Sequence, residues 1–263
     1  MVKEKINKEI IEKEQIPKIE PEIIEKIEVP TEEVLLTIPE KTKTIDVESW
    51  RPKTELGIRV KNGELKTLEE VLRSGKKLLE TEIIDFLIPD LQTDLLLIGQ
   101  SRGKFGGGKR TIWRQTQKKT SEGNKPKFGI LALVGNKDGY VGIGLGKSKE
   151  TMPAREKAIR NAKLNMIYVK RGCGSWACGC NKPHSIPFTV KGKEGASAMK
   201  LMPAPQGTKL CAEKECQKIL SLAGIKDVYS KVSDPKTKLN LVKACFNALK
   251  NLSKIKTTRL ESK

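Results

Sequence analysis

Apolar residues recur along this chain in two rhythms, and the alternation between them outlines a fold. In TLEEVLRSGKKLLETEIIDFLIP, residues 67–89, Leu68, Val71, Leu72, Leu78 and Leu79 stand at helical spacing, with Gly75 dividing the stretch into two helical pieces. The preceding WRPKTELGIRVKNGELK reads as a turn-rich lead. Strand-like runs follow in DLLLIG, TIWRQTQKK, KFGILALVGN and YVGIGLG, joined by Gly- and Asn-rich turns. ETMPAREKAIRNAKLNMIYV then returns to helical spacing, with Pro153 tolerated in the first turn.

A second unit repeats the change of rhythm. SIPFTVKGKEGASAMKLMPAP predicts two strands joined by a turn at KGKEG, and AEKECQKILSLAG a helix ending at Gly224. IKDVYSKV is a strand, and TKLNLVKACFNALKNLSKI a closing amphipathic helix. The first unit is expected to have the order helix, three strands, helix (α–β–β–β–α) of a double-stranded RNA-binding domain; the second is β–β–α–β–α, a small α/β domain. The fold class expected is therefore α+β. The expected boundaries are a flexible charged arm at 1–49, the first domain at 50–171, a junction at 172–184, the second domain at 185–255 and a tail at 256–263.

Charge sharpens this outline. Residues 1–49 hold eight Lys and thirteen acids, a net −5, and are broken by Pro17, Pro21, Pro30 and Pro39, which stop any long helix. The rest carries forty-three Lys or Arg against nineteen acids, or +24, a surplus that calls for a polyanionic partner, RNA or DNA. No apolar run approaches the ~18 residues of a transmembrane helix, and MVKEKINKEI lacks the apolar core of a secretory signal. A membrane partner is not expected. Aromatics are 4% of the chain, so the cores must rest on Ile, Leu, Val and Ala.

The densest chemistry is RGCGSWACGCNKPH, which gathers three of the six cysteines and the only histidine. Cys173, Cys178, Cys180 and His184 form a Cys₃His set at C-x4-C-x-C-x3-H spacing, the ligand types and number of a closed tetrahedral site for one structural zinc ion. Gly172, Gly174 and Gly179 allow the tight turns needed to converge them. The alternative is a set of unligated loop thiols. A cysteine nucleophile paired with His184 finds no acid nearby in the sequence to orient the imidazole. Cys211, Cys216 and Cys245 fall on predicted helices and read as small core hydrophobes.

Two basic stretches flank this cluster. Residues 101–129 contain Arg102, Lys104, Lys109, Arg110, Arg114, Lys118, Lys119, Lys125 and Lys127 with one acid, Glu122. Gly103, Gly108 and Lys109 approach a phosphate-binding loop, but Arg110 stands where Ser or Thr should hold magnesium, which argues against nucleotide hydrolysis and leaves a zinc- or nucleotide-dependent enzyme as the weakest of the rival readings. A basic loop and hairpin contacting RNA phosphates is the better reading, against a merely solvated loop. In GYVGIGLGKSKE, Lys147 replaces the third glycine of a dinucleotide fingerprint. Lys147, Lys149 and Arg155 instead crowd a helix start that favours phosphate, followed by Lys170 and Arg171. RNA backbone contact is the reading preferred for this stretch; the alternative is a tight strand-to-helix turn, and the two are compatible.

Taken together, VGNKDGYVGIGLGKSKE, AREKAIRNAKLNMIYVKRG, RGCGSWACGCNKPHSIPFTVKGKEG, LMPAPQGT and LAGIKDVYSK resemble the universal fifth protein of the small ribosomal subunit in its archaeal form, over roughly residues 50–250. The resemblance implies a non-catalytic protein that binds small-subunit ribosomal RNA near the decoding region and the side where mRNA enters. It implies the subunit's fourth and eighth proteins as neighbours, and a hairpin QKKTSEGNKPKFG that reaches RNA. Gly207 and Thr208 resemble a turn near the contact with the fourth protein, where decoding accuracy is influenced; Lys209 stands where the family often has glycine. The rival function is a free-standing double-stranded RNA-binding regulator. It would bind isolated duplexes without sedimenting with ribosomes.

Overall fold

The computed structural model describes residues 50–101, 110–180, 182–234 and 237–255. The expected arm 1–49, the tail 256–263 and the candidate RNA contacts Arg102, Lys104 and Lys109 lie outside the described residues. Three short helices open the described chain: α1 (Glu55–Lys61), α2 (Leu68–Arg73) and α3 (Glu82–Leu87). The turn-rich lead is therefore partly helical. Thr54 caps α1 by accepting the Gly57 N–H, and Leu56 and Val60, four residues apart, bury one face. A capping box between Thr67 and Glu70 starts α2. Leu79, placed on the helical stripe by its spacing, is 65% exposed because the chain between α2 and α3 is not helical.

A five-stranded antiparallel sheet follows, of β1 (Gln92–Leu95), β2 (Trp113–Thr120), β3 (Gly123–Gly135), β4 (Tyr140–Ser148) and β5 (Met166–Tyr168). Its spine is β3, whose one edge pairs with β2 at the start and β1 at the end, while β4 takes the other edge. Helix α4 (Thr151–Leu164) crosses between β4 and β5; MIY, read as the helix end, is the edge strand instead. The apolar run in β3 is continuous because both faces are covered. Ile130, Ala132 and Val134 pack with α1 to α4, and Leu131 and Leu133 face the second half of the chain. Lys163 on α4 pins α3 through Asp85 at 2.6 Å; burial raises the Asp85 carboxyl above its ordinary value despite that partner.

The second sheet has the order β6–β7–β9–β8, built from β6 (Val190–Glu194), β7 (Ser197–Pro203), β8 (Leu210–Cys211) and β9 (Val228–Ser233). Helix α5 (Lys214–Leu222) connects the parallel pair β8 and β9, and α6 (Lys238–Lys254) packs across β6 and β7. The short β8 is not evident in the sequence pattern. Met199, Leu201, Ile219, Leu220 and Leu249 share one hydrophobic cluster with Leu131, Leu133, Val141 and Ile143 of the first sheet. The two halves thus have a common core, and the chain between them does not carry the connection alone.

Small residues set the distance between sheet and helix in both halves. Gly142, Gly144 and Gly146 of β4 lie under Ala154, Ala158 and Ala162 of α4; a Cβ at Gly144 would stand 2.1 Å from the Ala162 nitrogen. Gly192 of β6 meets Ala244 and Ala248 of α6 in the same way, with 2.2 Å to the Ala244 carbonyl oxygen. The glycines of GYVGIGLG therefore serve helix–sheet packing, and it is the lysines beyond them that face solvent.

Candidate metal centre and nucleic-acid interface

The chain leaves β5, crosses the common core and meets itself. Gly172 and Ser185 exchange two backbone hydrogen bonds, each 2.9 Å, which bring Cys173 beside His184. Gly174 fits against the Pro187 carbonyl, where a Cβ would stand 2.0 Å away, and Cys178 N–H donates to the Ser175 carbonyl at 3.3 Å. The four ligand atoms of Cys173, Cys178, Cys180 and His184 consequently lie within 4.8 Å of one another. Cys178 Sγ is 3.2 Å from Cys180 Sγ and 3.8 Å from His184 Nε2. This is a closed donor set able to surround one metal ion.

Asp227 completes it, and nothing in the sequence pattern pointed there. Its Oδ2 lies 2.9 Å from His184 Nδ1, with both side chains buried. Accepting the Nδ1 proton fixes the tautomer that leaves Nε2 toward the sulfurs, as outer carboxylates do at zinc sites. The His184 carbonyl also accepts the Lys226 and Asp227 N–H groups, so the loop before β9 is held to the centre by backbone as well. The backbone N–H of Gln206 and the Cys180 thiol hold Cys178 down to about 6, whereas burial pushes the Cys173 thiol up. Cys178, His184 and Asp227 have the connectivity of a cysteine-nucleophile relay, with the acid that the local sequence lacked. The thiols of Cys173 and Cys180 crowd the same point, however, and that arrangement suits a cation better than an incoming substrate.

The hairpin β2–β3 projects from the first sheet, with a two-residue turn at Ser121 and Glu122 and every side chain from Arg114 to Lys119 exposed. Its register puts Lys118 opposite Lys125, Thr116 opposite Lys127, and Arg114 opposite Gly129, which in turn faces Lys147 of β4. Arg114, Lys118, Lys125, Lys127 and Lys147 therefore share one face. Like charges placed opposite one another destabilise the bare hairpin, and Glu122, 2.8 Å from Lys125, is the acid that relieves one of them. Lys119 points to the other face.

Toward its base this face opens into a cleft of about 480 Å³ lined by Lys127, Lys147, Ser148, Lys149, Glu150, Pro153 and Lys157, at the start of α4. Glu150 makes no side-chain cap, leaving the first-turn N–H groups without one. Lys157 was missed in the sequence; four residues after Pro153, it falls on the same helix side. Arg155 and Lys170 are half-buried, and Arg110 is exposed in a bridge with Ser101. Arg171 is placed apart from the basic face: its guanidinium pairs with Asp138 and bonds the Lys137 carbonyl, at the β3–β4 turn that also packs on Gly224.

Of the other expected residues, Gly207 is exposed and Thr208 half-buried, in a turn where the Thr208 hydroxyl donates to the Pro205 carbonyl at 2.9 Å. Cys216 and Cys245 are buried on α5 and α6, but Cys211 is an exposed residue of β8 and not part of a helical core. Among the described residues, no helix is long and apolar enough to cross a membrane.

The chain matches family models at two places: the N-terminal domain of ribosomal protein S5 over residues 112–170 and the C-terminal domain of ribosomal protein S5 over residues 192–261. The thiol cluster falls between the two matched stretches. Small ribosomal subunit protein uS5 of Nanoarchaeum equitans is 48% identical over 213 residues, covering 81% of this chain and 91% of that protein. The protein of the same name from Picrophilus torridus is 46% identical over 210 residues, 80% of this chain and 88% of that one. The one from Methanococcus maripaludis is 44% identical over 215 residues, 81% and 87% respectively.

Proposed function

The chain belongs to the ribosomal protein S5 family, and from that premise we propose that it is a structural constituent of the small ribosomal subunit that holds ribosomal RNA by its phosphates. The observation that carries this reading is the shared face of Arg114, Lys118, Lys125, Lys127 and Lys147, running from the hairpin into the lysine-lined cleft. Cations at that spacing on a projecting antiparallel ribbon suit a phosphate backbone, and affinity gained so falls steeply with salt. Duplex RNA is read by shape and phosphate, so little base discrimination comes from this face. No step of this role needs catalysis.

Cys173, Cys178, Cys180 and His184 would hold one structural zinc ion, with Asp227 orienting the imidazole. Bound there, zinc supplies a cross-link between the strand leaving the first sheet and the segment entering the second, stabilising the shared core. The turn at Gly207 and Thr208 is the proposed contact with the subunit's fourth protein, close to the decoding region and the path by which mRNA enters. The eighth protein is the other proposed neighbour.

The test is binding of the full chain to small-subunit ribosomal RNA over a salt series, beside sedimentation with ribosomal subunits. Steep salt dependence and co-sedimentation support the reading. Tight binding to isolated duplexes without co-sedimentation would instead support a free-standing RNA-binding regulator.

A further inference from the structure

Among the described residues, no packing partner explains Trp176. Its side chain is fully exposed, at 106% of the reference area, whereas Trp50 is 7% exposed and Trp113 half-buried. It stands at the tip of the loop between Cys173 and Cys178. The loop is stiff: the Gly172–Ser185 bonds close its base, Gly174 is wedged against the Pro187 carbonyl, and the Cys178 N–H is tied to Ser175. The backbone beneath the indole is therefore held, and binding has only the two side-chain torsions of Trp176 left to order.

The surroundings distinguish between possible partners. Gly174, Ser175, Ala177 and Gly179 flank Trp176 in the chain, so its own loop supplies no apolar rim of the kind that encloses an aromatic anchor in protein–protein contacts. From residue 157 to residue 193 the chain carries eight Lys or Arg, of which Lys163 and Arg171 are taken up by Asp85 and Asp138, and no Asp or Glu. A bare π-face within an acid-free, cationic stretch matches what an unpaired nucleobase requires: stacking on the ring and neutralisation of the adjoining phosphates. We propose that Trp176 is a stacking platform for an unpaired base of the ribosomal RNA. This rests on the RNA-binding reading above, and adds a single-stranded contact to the phosphate contacts of the hairpin and cleft.

The test uses the full-length, metal-loaded chain with two probes, a short single-stranded oligoadenylate and a blunt RNA duplex. The oligoadenylate quenches tryptophan emission in the native chain, and Trp176→Phe removes the quenched component because Trp50 and Trp113 remain. Trp176→Ala weakens oligoadenylate binding about tenfold, the loss of one base stack, while Trp176→Phe keeps most of the affinity and duplex binding is unchanged in both. Native emission that stays constant with oligoadenylate while the duplex still binds overturns the platform and leaves the RNA-binding reading standing. Failure to bind either RNA overturns both. In assembled subunits, photo-cross-linking from position 176 to ribosomal RNA supports the platform, and cross-linking to a protein overturns it.

Discussion

His184 Nδ1 stands 2.9 Å from Asp227 Oδ2, and the other oxygen of that carboxylate accepts the backbone N–H groups of Gly207 at 3.1 Å and Lys209 at 2.8 Å. One buried side chain therefore orients the imidazole of the thiol cluster and closes the turn that carries Gly207 and Thr208. Lys209 adopts φ 63°, where a side chain costs about 1 kcal/mol or more, and the bond from Asp227 helps hold it there. A glycine at this place would meet the same backbone requirement without that cost.

Asp227→Ala removes the orienting acceptor and strands two backbone donors. A loss of about 2–4 kcal/mol in stability is expected, with zinc affinity falling about 10–100-fold as at other sites whose outer carboxylate is removed. Thermal unfolding and competition with a chromogenic chelator measure the two effects separately. Zinc affinity unchanged in this variant would detach Asp227 from the centre.

The cysteines should also differ in reactivity once metal is chelated. Cys178, held down to about 6 chiefly by the Gln206 N–H, is mostly thiolate at neutral pH; Cys173, pushed up by burial, is not. The stabilisation from lowering Cys178 is complete above the ordinary thiol range and is lost as pH falls through about 6. Iodoacetamide at neutral pH is expected to label Cys178 well before Cys173 in the chelated chain, and neither in the zinc-loaded chain. Peptide mapping over time reads the order, and equal rates would contradict it.

Gly144→Ala tests the packing of α4 on β4. The added methyl would stand 2.1 Å from the Ala162 nitrogen and 2.3 Å from the Ala158 carbonyl oxygen, backbone atoms that cannot swing aside. A destabilisation of about 3 kcal/mol, at the upper end for overpacking, is expected in chemical denaturation. The same change at Gly129, whose added Cβ would come no nearer than 3.8 Å to the Arg114 carbonyl oxygen and the Lys147 side chain, should cost little and serves as the control.

What the sequence showed and what it hid divide along physical lines. The strands around residues 130–134 were legible because a short run of Ile, Leu and Val between turn residues has few other uses, and the Cys₃His set because its residue types are scarce. Helix α1 escaped notice because Pro52, Gly57, Asn62 and Gly63 signal turns, although Leu56 and Val60 carried the helical spacing. The strand Met166–Tyr168 follows α4 with only Asn165 as punctuation. Asp227 is 43 residues from His184, a proximity created by the second sheet alone. The glycines of β4 suggested a phosphate contact or a tight strand-to-helix turn, and their packing role shows only once the alanines of α4 are seen above them.

Charge reversal on the hairpin addresses the proposed RNA contact most directly. Lys118 and Lys125 face each other across β2 and β3 on an exposed ribbon, so Lys118→Glu adds a cross-strand attraction and leaves the fold intact. Any loss of RNA affinity then reflects the interface and not unfolding. Each phosphate contact removed lowers the slope of log affinity against log salt by about 0.9 on duplex RNA, by analogy with duplex DNA. Lys118→Glu combined with Lys127→Glu should reduce it by about 1.8 and weaken binding uniformly across RNA sequences. Arg171→Gln provides the contrast. Its guanidinium is committed to Asp138 and the Lys137 carbonyl, so this change should lower the melting temperature while leaving the salt slope alone. Filter binding of the full chain at several salt concentrations gives both slopes; a slope unchanged by the double reversal would place the RNA on another face of the protein.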